Sequence, residues 1–386
     1  MAASTLTVWS HLPLIDEPLT LHENAVHYDE PLIQFVDNII QHALQKSASD
    51  IHIEPYESIC RIRYRQDGLL HEVTEIPNNL ADRLMTRLKV MAKLDISERR
   101  LPQDGRFQLS KHAIDVRINT CPTLFGEKIV LRILDANKIL FDVNALGMTD
   151  WQKQIFLEKI SHPQGLILVT GPTGSGKTVT LYSALHALNT TEKNILTAED
   201  PVEIKLHGIN QVNINPKIGL QFATVLRTFL RQDPDVIMIG EIRDTETAEI
   251  AIQAAQTGHL VLSTLHTNNA IETLMRLESM GISRYNLSNA ISLIIAQRLV
   301  RKICVHCHAI DFVQCAHCFQ GYLGRAGIYE MLPMDEKISR LIAANASIAT
   351  LNDHLDQEGF LNLRRMGLEK VSQGITTFSE INRVIL

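Results

Sequence analysis

Residues 171–178 read Gly-Pro-Thr-Gly-Ser-Gly-Lys-Thr, which fits the form G-x-x-x-x-G-K-[ST]. A run of that form arises by chance in roughly one chain in a hundred of this length. Its chemistry is that of a phosphate cradle. Gly171, Pro172, Thr173, Gly174, Ser175 and Gly176 make a turn whose backbone N–H groups can close around phosphate oxygens, and a following helix adds positive partial charge. Lys177 is placed to bridge terminal phosphates, and the Thr178 hydroxyl to ligate Mg²⁺. A nucleoside triphosphate, ATP first among them, is the expected ligand.

Hydrolysis needs acids near the terminal phosphate, and two segments offer them. Glu199 follows the apolar run 195–198, and Glu241 follows Val236-Ile-Met-Ile-Gly240. In open α/β sheets ligands sit at the carboxyl ends of strands, so both acids are expected to face the P-loop. Glu241 reads as the acid that holds Mg²⁺, and Glu199 as the group that polarises the attacking water. A third apolar run is bracketed by His259 and His266, expected on opposite faces of the sheet. One of the two is a candidate sensor of the γ-phosphate and the other a structural histidine, with His266 the candidate site residue.

Four of the six cysteines form two C-x-x-C pairs, Cys304/Cys307 and Cys315/Cys318. Zn²⁺ takes four thiolates tetrahedrally, and such a closed set is structural because no position is left for substrate. His306, His308 and His317 lie close enough to substitute.

The elements that must carry these residues follow from periodicity. Residues 1–30 are polar and read as an arm. Residues 31–138 read as an α+β domain: a helix over 31–46, strands at 51–54, 60–65 and 69–75 with an Asp67-Gly68 hairpin turn, a helix over 79–94, then strands at 106–109, 113–119 and 128–134. Over 139–386 helices alternate with short apolar strands at 166–170, 195–198, 236–240 and 260–265, the pattern of a mostly parallel sheet covered on both faces. From Asn269 onward the chain is expected to be helical, interrupted only by the cysteine segment 304–318. No apolar run approaches the ~18 residues that span a bilayer. The net charge of −6 and 5% aromatic content argue against a nucleic-acid partner. No secretory signal is legible, so a cytoplasmic location is expected.

Taken together, segments 171–178, 199–203, 233–244 and 257–268 resemble the Walker A, aspartate-box, Walker B and histidine-box of the secretion ATPase superfamily. Ser49–Pro55 and Pro102–Arg106 are similar to its second N-terminal domain, and the tetracysteine segment to its type II secretion and pilus-assembly members. The resemblance implies a RecA-like P-loop ATPase domain preceded by a smaller PAS-like α+β domain. It implies a homo-hexamer that works in the cytoplasm against an inner-membrane platform protein, peripheral to the membrane through its partners. The implied activity is Mg²⁺-dependent ATP hydrolysis that drives pilus assembly or type II secretion. A retraction or DNA-uptake motor is one alternative, and a low-turnover nucleotide switch is another. By motif position, Arg106 and Arg117 correspond to the family's phosphate-reaching arginines, with Arg227, Arg231 and Arg298 behind them. Read without the family, Arg106, after the Asp104-Gly105 turn, and Arg117, on a strand, are more simply plain surface cations. The chain starts close to the second N-terminal domain, so the domain that docks such ATPases to the platform is expected to be missing, and cyclic-dinucleotide sensing with it. The loop between the cysteine pairs is shorter than the family's usual one.

Overall fold

The computed structural model describes residues 30–109, 114–134, 141–309, 315 and 317–385. The expected polar arm lies outside them, apart from Glu30 at the start of the first helix. The chain divides into two compact units, Met1–Lys138 and Ile139–Leu386.

In the first unit the elements run α1 (Glu30–Gln45), β1 (Asp50–Pro55), β2 (Ile59–Gln66), β3 (Leu69–Pro77), α2 (Asn78–Met91), β4 (Gln103–Leu109), β5 (Ile114–Thr123) and β6 (Gly126–Leu134). The strands form one antiparallel sheet in the order β3-β2-β1-β6-β5-β4. Alternation decides its faces. Ile51, Ile53, Ile62, Ile118 and Ile129 are buried in one core with Val36 and Ile40 of α1 and Leu84 and Leu88 of α2. The intervening residues put Asp50, Glu54, Arg63, Lys128 and Arg132 on the other face, tied by ion pairs such as Arg132 Nε to Asp50 at 2.9 Å. Asp67 and Gly68, both at positive φ, make the tight β2–β3 turn that the Asp-Gly pair favours.

The second unit runs α3 (Asp150–Ser161), β7 (Gly165–Thr170), α4 (Lys177–Leu188), β8 (Ile195–Glu199), β9 (Asn210–Asn213), α5 (Phe222–Phe229), β10 (Val236–Ile239), α6 (Thr245–Gln256) and β11 (Leu260–Leu265). It continues through α7 (Ala270–Ser279), α8 (Arg284–Ala290), β12 (Ile291–Ile303), β13 (Tyr322–Pro333), α9 (Glu336–Ala343), α10 (Ile348–Gln357), α11 (Leu363–Ser372) and α12 (Phe378–Val384). Its seven strands are ordered β13-β12-β7-β11-β10-β8-β9, parallel throughout except for β13. β7, β8, β10 and β11 are buried along their whole length, which is why they read as unbroken apolar runs.

The expectation of helix from Asn269 onward fails at β12 and β13, which form a long antiparallel hairpin flanking the cysteine segment. Most of β12 is buried on both sides, so no period-2 alternation marks it as a strand. No helix among the described residues is long and apolar enough to cross a membrane.

Candidate active site and metal centre

β7 ends at Thr170, and the chain turns over the strand's carboxyl end before α4 begins at Lys177. Two of the turn's glycines are needed for steric reasons. A Cβ on Gly171 would stand 2.5 Å from the Gln297 carbonyl oxygen. Gly176 has φ +88°, and its Cβ would meet the Gln297 amide at 2.9 Å. Within the turn the Ser175 hydroxyl is buried with no hydrogen-bond partner among the described residues, a polar atom suited to an anion's oxygen. Lys177 is buried and donates to the carbonyls of Gly171 (2.8 Å) and Pro172 (3.1 Å). Burial pulls its pKa down to about 8; the Glu241 carboxylate opposes that shift and the Arg298 guanidinium adds to it.

The carboxyl ends of β8, β10 and β11 converge on this turn. Together they enclose a cleft of about 400 Å³ whose lining includes Lys177, Thr178, Glu199, Glu241, His266 and Arg325. Glu199 is buried, and both its oxygens are engaged. It accepts from Thr197 Oγ1 at 2.6 Å, Gln211 Nε2 at 3.1 Å and the Tyr182 hydroxyl. Burial and the neighbouring carboxylate push the Tyr182 pKa up, so this phenol stays a donor. Glu241 accepts from Arg243, and its Oε2 lies 3.4 Å from His266 Nε2. Burial works against its ionisation, but Arg243 and His266 outweigh it and hold the carboxyl below its ordinary range. Thr178 and Glu241, an exposed hydroxyl and an ionised carboxylate on one cleft, fit the hard oxygen ligation of Mg²⁺.

The two histidines are separated by the length of β11 rather than by its pleat. His259 precedes the strand, with Nδ1 3.1 Å from the Ala254 carbonyl, and does not line the cleft. His266 follows the strand and does. The candidate arginines fall in both units. Arg106 and Arg117 are directly opposed in the β4–β5 register of the first unit, where Arg117 lies 3.7 Å from Asp104. Arg227 is exposed and pairs with Glu246, and Arg231 is exposed. Arg298 is buried, donates to the Gln297 and Asn268 carbonyls and to Asn268 Oδ1, and does not line the cleft. The sequence reading missed Arg325 and Tyr182. Arg325 comes from β13, far along the chain from the P-loop and in a segment read as helix, so no local spacing pointed to it.

The four cysteine Sγ atoms lie within 4.8 Å of one another at the tip of the β12–β13 hairpin, with Cys307 and Cys318 3.6 Å apart. A tetrahedral ion with Zn–S bonds near 2.3 Å needs sulfur–sulfur edges of about 3.8 Å, so the set fits zinc. The rings of His306 and His317 lie 4.3 Å apart, tilted by 30° to each other. Residues 310–314 of the intervening loop lie outside the described residues.

This strand order, with the P-loop strand separated from Glu241's strand by β11, is a RecA-like P-loop arrangement. The chain is 52% identical over 383 residues to the type IV pilus assembly ATPase PilB of Pseudomonas aeruginosa, covering 92% of this chain and 68% of that protein. It is 44% identical over 401 residues to the type II secretion system protein E of Klebsiella pneumoniae, covering 98% of this chain and 80% of that one. The solved structure of the pilus retraction motor PilT with bound ADP matches with a TM-score of 0.64 at 30% identity, covering 89% of this chain and 94% of that one. The family model for the Type II/IV secretion system protein matches residues 25–383, and the chain belongs to that family.

Proposed function

We propose that this chain is a Mg²⁺-dependent ATPase motor of the assembly and secretion branch, powering type IV pilus assembly or type II secretion. The observation that carries the reading is the convergence of Lys177, Thr178, Glu199, Glu241 and His266 on one cleft at the carboxyl ends of the parallel strands. Identity favours assembly over retraction: 52% to the assembly ATPase against 30% to the retraction motor. The chain spans about two thirds of the length of that assembly relative.

In this reading Lys177 binds the terminal phosphates, and Thr178 and Glu241 hold Mg²⁺. Bound there, the ion neutralises phosphate charge and orients the γ-phosphoryl group. Glu199, its oxygens fixed by Tyr182, Thr197 and Gln211, orients the attacking water. His266 reads the γ-phosphate through its contact with Glu241. Arg106 and Arg117 supply further positive charge, and Cys304, Cys307, Cys315 and Cys318 hold a structural Zn²⁺. The working form is a homo-hexamer on the cytoplasmic side of an inner-membrane platform protein; the acidic net charge gives no support to a nucleic-acid partner.

Steady-state ATP hydrolysis with and without Mg²⁺ tests the reading. Lys177→Ala should lose most nucleotide affinity. Glu241→Gln should keep nucleotide binding and lose turnover by a factor of about 10² or more. Wild-type turnover in either variant would contradict the site, and tight binding with no turnover in the wild type would make the protein a switch.

A further inference from the structure

Successive residues of β12 address the two faces of the second unit's sheet. Gln297 faces the P-loop, where its Oε1 accepts from Thr180 Oγ1 at 2.8 Å, and Leu299 lines the nucleotide cleft. Arg298, between them, points the other way, into a separate cavity that it shares with Pro172, Asn268, Glu330 and Asn362. Its guanidinium donates to the Gln297 carbonyl at 3.1 Å and to Asn268 twice, at the backbone oxygen (3.1 Å) and at Oδ1 (3.2 Å). Glu330, on β13 opposite Ala296, is 4% exposed. One of its oxygens accepts from the Ala270 N–H at 2.8 Å and the other from the Leu363 N–H at 3.1 Å. Those are the first residues of α7 and α11, whose unpaired N–H groups and helix dipole favour a carboxylate, though burial outweighs them and pushes the Glu330 pKa up.

The segment from His266 to Ala270 is therefore tied at every residue. His266 meets Glu241, Thr267 N donates to Thr170 Oγ1 at 3.0 Å, and Asn268 takes Arg298. Asn269 caps α7 through Glu272 N at 2.7 Å, and Ala270 meets Glu330. A buried Arg and a buried Glu are costly unless their geometry is used. Here both are used on the one segment that carries the candidate γ-phosphate sensor.

We propose that Arg298 and Glu330 are positioning residues: they set the 266–270 segment so that His266 is presented to Glu241, and they join that setting to α11. The proposal rests on the reading of the cleft as an ATP site. It makes α11 the element of this unit that responds when the sensor segment shifts, because one carboxylate holds both helix ends.

Arg298→Gln, Arg298→Lys, Glu330→Gln and Asn268→Ala separate this role from simple support. Arg298→Gln should lower kcat about 10- to 100-fold, the worth of a charged hydrogen bond, while ADP affinity stays within about threefold. Arg298→Lys should recover part of the loss. Arg298→Gln combined with Asn268→Ala should be no worse than the more damaging single change. Independently of turnover, ADP should slow amide exchange over 266–270 and 363–372 together in the wild type, and Glu330→Gln should uncouple the two. Unchanged kcat in folded variants, kcat and ADP affinity falling together in step with Tm, or ADP protection of α11 that survives Glu330→Gln would each overturn the proposal. Absence of Lys177-dependent turnover in the wild type would instead defeat the ATPase reading, and the exchange measurement would still decide the coupling.

Discussion

Glu199 shows how much a single side chain depends on partners distant in sequence. Its place at the end of an apolar strand was legible, because strand ends in parallel sheets face ligands. Its environment was not: Tyr182 comes from α4 and Gln211 from β9, and only the folded sheet brings them to one carboxylate. With both oxygens occupied, Glu199 is held in one orientation rather than free to rotate. Tyr182→Phe removes one donor without changing the size of the buried ring. It should lower kcat about tenfold or more, the value of a hydrogen bond to a charged group, and leave ADP affinity unchanged. Rate and equilibrium binding measured on the same preparation check this; an unaltered kcat would mean that Tyr182 only packs. His266 illustrates the complementary case. Spacing identified both bracketing histidines, chain order puts His266 at the carboxyl end of β11, and in the structure it lines the cleft while His259 does not.

Among the elements, the β12–β13 hairpin is where sequence and structure part most clearly. Strands buried on both faces lose their alternation, and this hairpin carries the zinc candidates, Arg325, Arg298 and Glu330 together. The strands β7, β8, β10 and β11 were readable because flanking turn residues bounded short apolar runs. The hairpin tip should carry one Zn²⁺ per chain, contributing on the order of 10 kcal/mol of binding free energy to that region. Elemental analysis of protein purified without added metal should find close to one equivalent; none, with four freely titratable thiols, would remove the site. The hairpin is also clamped to α12 by Glu380, which is 1% exposed and accepts from Arg301 N at 3.0 Å and Nη2 at 2.9 Å, with Arg383 beside it. Burial opposes its ionisation, yet Arg383 and Arg301 bring its pKa from 4.5 down to about 2. A carboxyl lowered in the folded state adds stability that is present in full above 4.5 and is lost as pH falls towards 2. That stability is worth roughly 3 kcal/mol. In urea melts, Glu380→Gln should be less stable than wild type by about that amount at pH 7, with the gap closing between pH 4.5 and 2. A gap independent of pH would mean that packing, not the ion pair, sets the difference.

For the molecule as a whole, the central claim is a multi-subunit ATP motor whose active site draws charge from more than one segment of chain. No arginine occurs between Gly165 and Glu199, and the second unit offers Arg325 to the cleft from the far end of its sequence. Arg106 and Arg117, on the first unit's sheet, are the remaining proposed sources, and an arginine finger is worth a factor of about 10³–10⁵ in turnover. ATP turnover per subunit, followed across a dilution series with the assembly state measured in parallel, tests this most directly. The account predicts that specific activity rises as subunits assemble, and that Arg106→Ala lowers kcat far more than nucleotide affinity. It also predicts that mixing Arg106→Ala with Glu241→Gln subunits restores part of the activity. Turnover per subunit that stays constant down to a demonstrated monomer, with Arg106→Ala as active as wild type, would contradict it.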